Sequence, residues 1–378
     1  MASANTYKTA SVIISVLSVV LLMLFYIKHS YNREHLVVKL NTSRLSFLYE
    51  DDAVYETAVQ ISKQTCMKIN RNTTVCEQLM NCSSAYTDAS GGDSCMSRFP
   101  KAILIGAYKS GTREVLDFLT MNPYIKIKRY PGYEVTFFDQ QFHEGLEWYR
   151  NQMPPSTGEQ ITMEKSPSYM TSLLAPKRMY EMDAGVKIVA VLREPVSRAH
   201  AHFTFDREAA TLKYGDSFQS CAFTQSWNGS KTFMNYSKVV TNCFAIKHSL
   251  YVRWIENYLK FFKLYSFHII DWTELVRNPC HTIRELEMFL FNGSLINCTN
   301  FIYNTRKGFY CVRDVTGKHA GVCYGDNRGR ISNGINLTAN VYKSLSKFFK
   351  PYNKRLFAIL NKTYDWYASF FIMLGFYI

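Results

Sequence analysis

Short apolar runs, each closed by a turn-forming cluster, punctuate the middle of the chain and predict its architecture. Lys101-Ala102-Ile103-Leu104-Ile105-Gly106 is such a run, followed by a glycine-bearing loop and then by the helical stretch Arg113 to Met121. The pattern returns at Lys187-Ile188-Val189-Ala190-Val191-Leu192, with Arg193-Glu194-Pro195 and a helix from Val196 behind it. It appears a third time at Ser266-Phe267-His268-Ile269-Ile270, which ends in Asp271 and leads to a helix around Thr282 to Phe291. Strands alternating with helices predict an α/β fold with a central, mostly parallel sheet flanked by helices. No internal repeat or low-complexity tract is present.

A different pattern opens the chain. Ala10 to Ile27 is apolar apart from Ser11, Ser15 and Ser18, and as a helix it would be about 27 Å long, close to the thickness of a hydrocarbon core. It ends in Phe25-Tyr26-Ile27-Lys28-His29 and not in small residues suited to cleavage, so it reads as an uncleaved signal-anchor. The divisions that follow are a tail at 1–9, a membrane span at 10–27, a stem at 28–98 without clear period, a main domain at 99–366 and an apolar tail at 367–378. Lys28, Arg33 and Lys39 after the span outweigh Lys8 before it, which by charge alone would leave the main domain in the cytosol. Nine Asn-x-Ser/Thr sequons and ten cysteines lie downstream of the span, and together they predict an oxidising, glycosylating lumen instead.

The cysteine spacing lacks the CxxC pairs of a zinc site, so disulfides are predicted and no metal. A formal net charge of +14 predicts a polyanionic partner. Nucleic acid is excluded by a lumenal location, which leaves an acidic glycan or lipid headgroups.

Candidate chemistry gathers first at Gly106-Ala107-Tyr108-Lys109-Ser110-Gly111-Thr112-Arg113, where backbone N–H groups at a strand-to-helix junction form an anion site. The loop is P-loop-like, but Lys109 stands two residues before Gly111, whereas a nucleotide triphosphatase ends the motif in Gly-Lys-Ser/Thr. An ordinary tight turn is the alternative. Five further blocks follow in order: Tyr133 to Asp139; Met163-Glu164-Lys165-Ser166-Pro167-Ser168-Tyr169; Leu192 to Arg198; Lys307 to Cys311; and Cys323 through Arg328-Gly329-Arg330. With the loop, they resemble the heparan sulfate glucosamine 3-O-sulfotransferases, over residues 100 to about 366.

That resemblance implies a Golgi, single-pass type II enzyme that uses phosphoadenylyl sulfate (PAPS) as donor and heparan sulfate, or a related acidic glycan, as acceptor. It implies donor contacts from Lys109, Ser110, Gly111, Thr112 and Arg113, with Lys109 stabilising the leaving phosphate, and from Arg193, Ala201 and the segment Arg328-Gly329-Arg330. Glu134 would be the general base, and Lys165 and Asp139 would complete the catalytic set. Arg113, Thr136, Ser166, Pro167 and Ser168 would join Glu134, Asp139 and Lys165 in contacting the acceptor. A Cys311–Cys323 disulfide is implied in the same way. Three positions depart from the family pattern: Thr136 stands for His, Ala201 for Ser and Phe205 for Gln. Two other functions stay open on these grounds, a sulfotransferase for another position or another glycan, and a catalytically silent glycan-binding protein. His200 and His202 flank Ala201, and two readings fit them: one of the two replaces the lost hydroxyl as a phosphate donor, or, more simply, both are helix-surface residues.

Overall fold

Five strands, β1 (Ala102–Gly106), β2 (Ile125–Ile127), β3 (Ile161–Lys165), β4 (Lys187–Leu192) and β5 (Phe267–Asp271), form one sheet in the computed structural model, in the order β2-β3-β1-β4-β5. Every neighbouring pair is parallel. The described residues are 53–70, 72–82, 95–128, 134–208, 217–226, 235–306, 308–313, 322–323 and 337–366.

The apolar runs are continuous because the sheet is buried on both faces. Ile103, Ile105, Ile188, Ala190 and Leu192 point into one core with Phe137, Phe138, Tyr149, Tyr251 and Trp366. Their neighbours Ala102, Leu104, Val189 and Val191 point into the other, with Val115, Leu116, Ile283 and Leu286. Side chains alternate across a strand, so consecutive apolar residues serve two cores at once. The 3₁₀ and helical segments behind the strands supply the covering layers, including Thr112–Leu119 after β1, Pro195–Glu208 after β4, and Trp272–Arg277 and Pro279–Phe291 after β5.

The order of connection decides where a ligand can bind. The chain leaves β1 for β2 and β3 on one side, then crosses to β4 and β5 on the other. Loops after β1 and β4 therefore diverge at the carboxyl end of the sheet, and this is where an open α/β sheet leaves a crevice.

Residues 53–81 differ from a stem without period. Residues 53–70 are helical and Thr73–Asn81 form a second helix. Val54, Ala58 and Ile61 recur at helical spacing and are buried in the same core as Ala102 and Leu104. Gln160 donates to the carbonyls of Leu79 and Pro123 at 2.9 and 2.8 Å, so the second helix is hydrogen-bonded to the sheet domain as well. The compact unit begins at Val54.

The ten cysteines form five disulfides, Cys66–Cys76, Cys82–Cys95, Cys221–Cys243, Cys280–Cys298 and Cys311–Cys323. The predicted anchor at 10–27 and the apolar tail at 367–378 lie outside the described residues. Among the described residues no helix is long and apolar enough to cross a membrane.

Candidate active site

The loop after β1 is shaped by two glycines. Gly106 has φ +148°, and a Cβ there would come within 2.8 Å of Met170 Cβ and 3.0 Å of the Pro167 carbonyl oxygen. The loop therefore lies directly against the segment that follows β3. Gly111, at φ +81°, stands before the first turn of Thr112–Leu119, in a conformation that costs other residues energy. Between them Ser110 is fully buried, and its Oγ has no hydrogen-bond partner among the described residues. A buried hydroxyl without a partner, at the N-terminal end of a helix, suits an anionic ligand that would complete it. Thr112 is buried beside it, and Arg113 Nε lies 3.5 Å from Asp117 Oδ2.

Arg193 supports the loop from β4. Its guanidinium lies 4.2 Å from the Trp272 ring, its Nε donates to Ser197 Oγ at 3.0 Å, and Nη1 donates to the Lys109 carbonyl at 3.5 Å. Glu194 next to it accepts from the N–H groups of Val196 and Ser197 at 2.9 and 2.7 Å, so a carboxylate occupies the start of the Pro195–Glu208 helix. Ala201 is half-buried on that helix, one turn beyond Ser197.

The second cluster belongs to β3 and to the segment from Glu134. Leu104 pairs with Lys165 across β1 and β3, and Ser166 N–H donates to the Leu104 carbonyl, so Lys165 reaches the sheet end beside the loop after β1. Lys165 Nζ donates to Glu134 Oε1 at 2.6 Å, with the Lys165 side chain 6 % exposed and Glu134 39 % exposed. Of the two, the carboxylate faces water. Thr136 N–H donates to Ser166 Oγ at 3.0 Å, while the Thr136 hydroxyl turns back to the Val135 carbonyl. Asp139 lies in the turn Phe137–Gln141, and burial raises its carboxyl pKa against hydrogen bonds from Ser168 and the local backbone that lower it. The structure thus gathers Lys109, Ser110, Gly111, Thr112, Arg113 and Arg193 around one loop, and Glu134, Thr136, Lys165 and Ser166 around the adjoining strand end. Arg328, Gly329 and Arg330 lie outside the described residues.

Glu164 lies beside this cluster, and its strand context concealed it. Wholly buried, it accepts from Ser166 Oγ at 2.5 Å, Val135 N–H at 3.4 Å and Tyr149 Oη at 3.2 Å, and so ties the Glu134 segment to the Lys165 strand. Burial pushes its carboxyl up to about 7 from an ordinary value of 4.5. A folded state that holds a proton more tightly than the unfolded one is stabilised below the unfolded pKa, and that contribution is lost as pH rises through about 7. Glu164→Gln copies the protonated form. Its melting temperature relative to wild type is expected to climb between pH 5 and pH 8; a constant difference across that range would remove Glu164 from this role.

His202 is not a helix-surface residue, and His200 is half-buried. His202 is buried on the Pro195–Glu208 helix between Arg198 and Asp206, its i−4 and i+4 neighbours. Arginine has only donors, so its Nη1 contact at 3.1 Å makes His202 Nδ1 an acceptor and leaves the proton on Nε2, 3.2 Å from Asp206 Oδ2. Burial lowers the His202 pKa to about 4, with the Asp206 hydrogen bond opposing it. The spacing of four along the sequence carried this ladder. A cavity of about 240 Å³ adjoins it, lined by Tyr108, Ser168, Arg198, His202, Asp206 and His248 among others.

Residues 99–334 match the sulfotransferase domain family. The mouse heparan sulfate glucosamine 3-O-sulfotransferase 5 is 33 % identical over 284 residues, covering 72 % of this chain and 75 % of that protein. Mouse heparan sulfate glucosamine 3-O-sulfotransferase 3A1 is 33 % identical over 276 residues, covering 72 % of this chain and 66 % of that one. A crystal structure of a sulfotransferase from Alicyclobacillus acidocaldarius shares the fold, with a TM-score of 0.52 and 19 % identity over 71 % of this chain and 99 % of that one. The chain belongs to the sulfotransferase domain family, within the heparan sulfate glucosamine 3-O-sulfotransferase group.

Proposed function

We propose that this chain transfers a sulfuryl group from PAPS to the 3-hydroxyl of a glucosamine residue in heparan sulfate, in the Golgi lumen and anchored through residues 10–27. The observation that carries the reading is the Glu134–Lys165 pair at 2.6 Å beside the donor loop. A water-facing carboxylate held by a buried ammonium is a base with a fixed position, which a glycan-binding surface without turnover does not need.

PAPS supplies the sulfuryl group and its phosphate leaving group. Ser110, the N–H groups that follow Gly111, and Arg193 would hold its anionic end, and the orphaned Ser110 hydroxyl supports that fit. Glu134 would take the proton of the sugar hydroxyl as its oxygen bonds to sulfur. The bond from sulfur to the bridging oxygen breaks at the same time, and Lys109 meets the negative charge that collects there. Glu164 and Ser166 would keep Glu134 and Lys165 in register, and Asp139 would orient the sugar.

Incubation of the purified protein with radiolabelled PAPS and a panel of heparan and chondroitin oligosaccharides, followed by disaccharide analysis, tests the function. Label at the 3-position of glucosamine is expected. Label elsewhere would transfer the reading to another position or glycan, and donor binding without any label would leave a silent binder. Because lysine and arginine supply the positive charge, turnover is expected to be the same in chelator as without it. A loss of activity restored by one divalent ion would contradict this.

A further inference from the structure

Phe205 is one of the three departures from the family pattern, and its ring lies on the donor-loop lysine. Lys109 Nζ stands 3.6 Å from the centroid of that ring. The Tyr108 ring meets Phe205 edge-on at 5.9 Å and lies 5.9 Å from the same ammonium. Phe205 is 41 % exposed, a large apolar residue turned toward solvent at the end of the Pro195–Glu208 helix. Lys109 is also held at its backbone: it adopts φ +64°, and its carbonyl accepts from Arg193.

We infer that Phe205 is a positioning residue for Lys109, an aromatic seat that orders the ammonium before the donor arrives. The inference rests on the reading of Lys109 as the donor-loop cation. One stretch of chain fixes both ends of the lysine, since Arg193 at the end of β4 grips the carbonyl and Phe205 on the following helix covers the ammonium. A lysine stem with four rotatable bonds loses its freedom on binding an anion, and a seat that has already removed that freedom favours binding. The face of a ring attracts a cation over a broad area, so the ammonium can shift toward an anion and keep its contact with the ring. A ring face also keeps water from one side of the charge, which strengthens its pull on an anion. An aliphatic side chain of similar bulk would fill the space without that attraction.

The test uses adenosine 3′,5′-bisphosphate as probe and calorimetry on wild type, Phe205→Leu, Phe205→Tyr, and both Leu and wild-type position 205 in a Lys109→Met background. Phe205→Leu is expected to weaken binding about 3- to 10-fold, and Phe205→Tyr to stay within about twofold. In the Lys109→Met background the effect of Leu should shrink below about 1.5-fold, a coupling that general damage to the helix would not produce. Equal or tighter binding by Phe205→Leu, or the same loss without Lys109, would overturn the inference. A second arm needs no nucleotide: after ¹³C-methylation of the lysines, the Lys109 methyl signal should lie upfield through the ring current and return in Phe205→Leu. Absence of that displacement also overturns the seat. A wild type that shows the displaced signal but binds no nucleotide would refute the donor reading and leave the seat standing.

Discussion

Glu134→Gln is expected to lower sulfuryl transfer by about 10²- to 10⁴-fold, the range for removing a positioned general base. Glutamine keeps the shape and can still accept from Lys165, so the ion pair at 2.6 Å becomes an ordinary hydrogen bond and the strand end keeps its form. The donor loop is built by β1, β4 and the helices after them, and none of its hydrogen bonds described above runs through Glu134. Binding of adenosine 3′,5′-bisphosphate should therefore change by less than about twofold, because the lost group acts on the acceptor. Acceptor affinity should not fall either, since the variant has one negative charge fewer facing a polyanion. The measurement is turnover with saturating donor beside calorimetry with the bisphosphate. A variant that kept more than about a tenth of wild-type turnover would remove Glu134 from the role of base.

Several parts of this molecule were legible before any coordinates. Lys187–Leu192 is a strand with the predicted bounds, and Phe267–Asp271 and Ala102–Gly106 are shifted by one residue at their starts, because a strand buried on both faces writes itself as an unbroken apolar run. The helix at 53–70 is hidden for the converse reason: only a narrow face is buried, and between Val54, Ala58 and Ile61 stand Tyr55, Glu56, Thr57, Val59 and Gln60, a mixture of polar and apolar residues that blurs the period.

The site divides in the same way. Gly106, Lys109, Gly111, Glu134 and Lys165 stand in local motifs, so their residue types and order could be read. Their relations could not. The Glu134–Lys165 pair joins residues 31 apart, and the seat of Lys109 on Phe205 joins a loop to the far end of a helix. In the sequence Glu164 is half of a charged dipeptide, yet alternation turns it inward while Lys165 reaches Glu134. What makes a buried carboxylate tolerable is the set of donors around it, and those come from three separate segments. The Arg198-His202-Asp206 ladder is the exception, since its spacing of four was available in the sequence.

Lys109→Ala and Lys165→Ala each remove one positive charge, yet they are expected to fail differently. Lys109 leaves a loop whose glycines, buried Ser110 and underlying Arg193 make an anion site, so its loss should weaken bisphosphate binding by about 10-fold and reduce turnover by about 10²- to 10³-fold. Lys165 leaves the other cluster. Without it the Glu134 carboxylate loses the contact that fixes its direction, and turnover should fall by about 10²-fold with donor binding within about twofold of wild type. A general weakening of attraction to a polyanion must be separated from these local effects. Salt does so, because contacts between exposed charges fade beyond a Debye length of about 8 to 10 Å, whereas a contact shielded from water persists. Lys165 is 6 % exposed, so its effect on turnover should be nearly the same at low and high ionic strength. Acceptor KM, by contrast, should rise with salt in both variants and in wild type alike. If the two variants gave the same donor affinity, the same acceptor KM and the same salt dependence, the two lysines would be interchangeable members of a basic patch, and the division of the site into a donor loop and an acceptor strand would have to be given up.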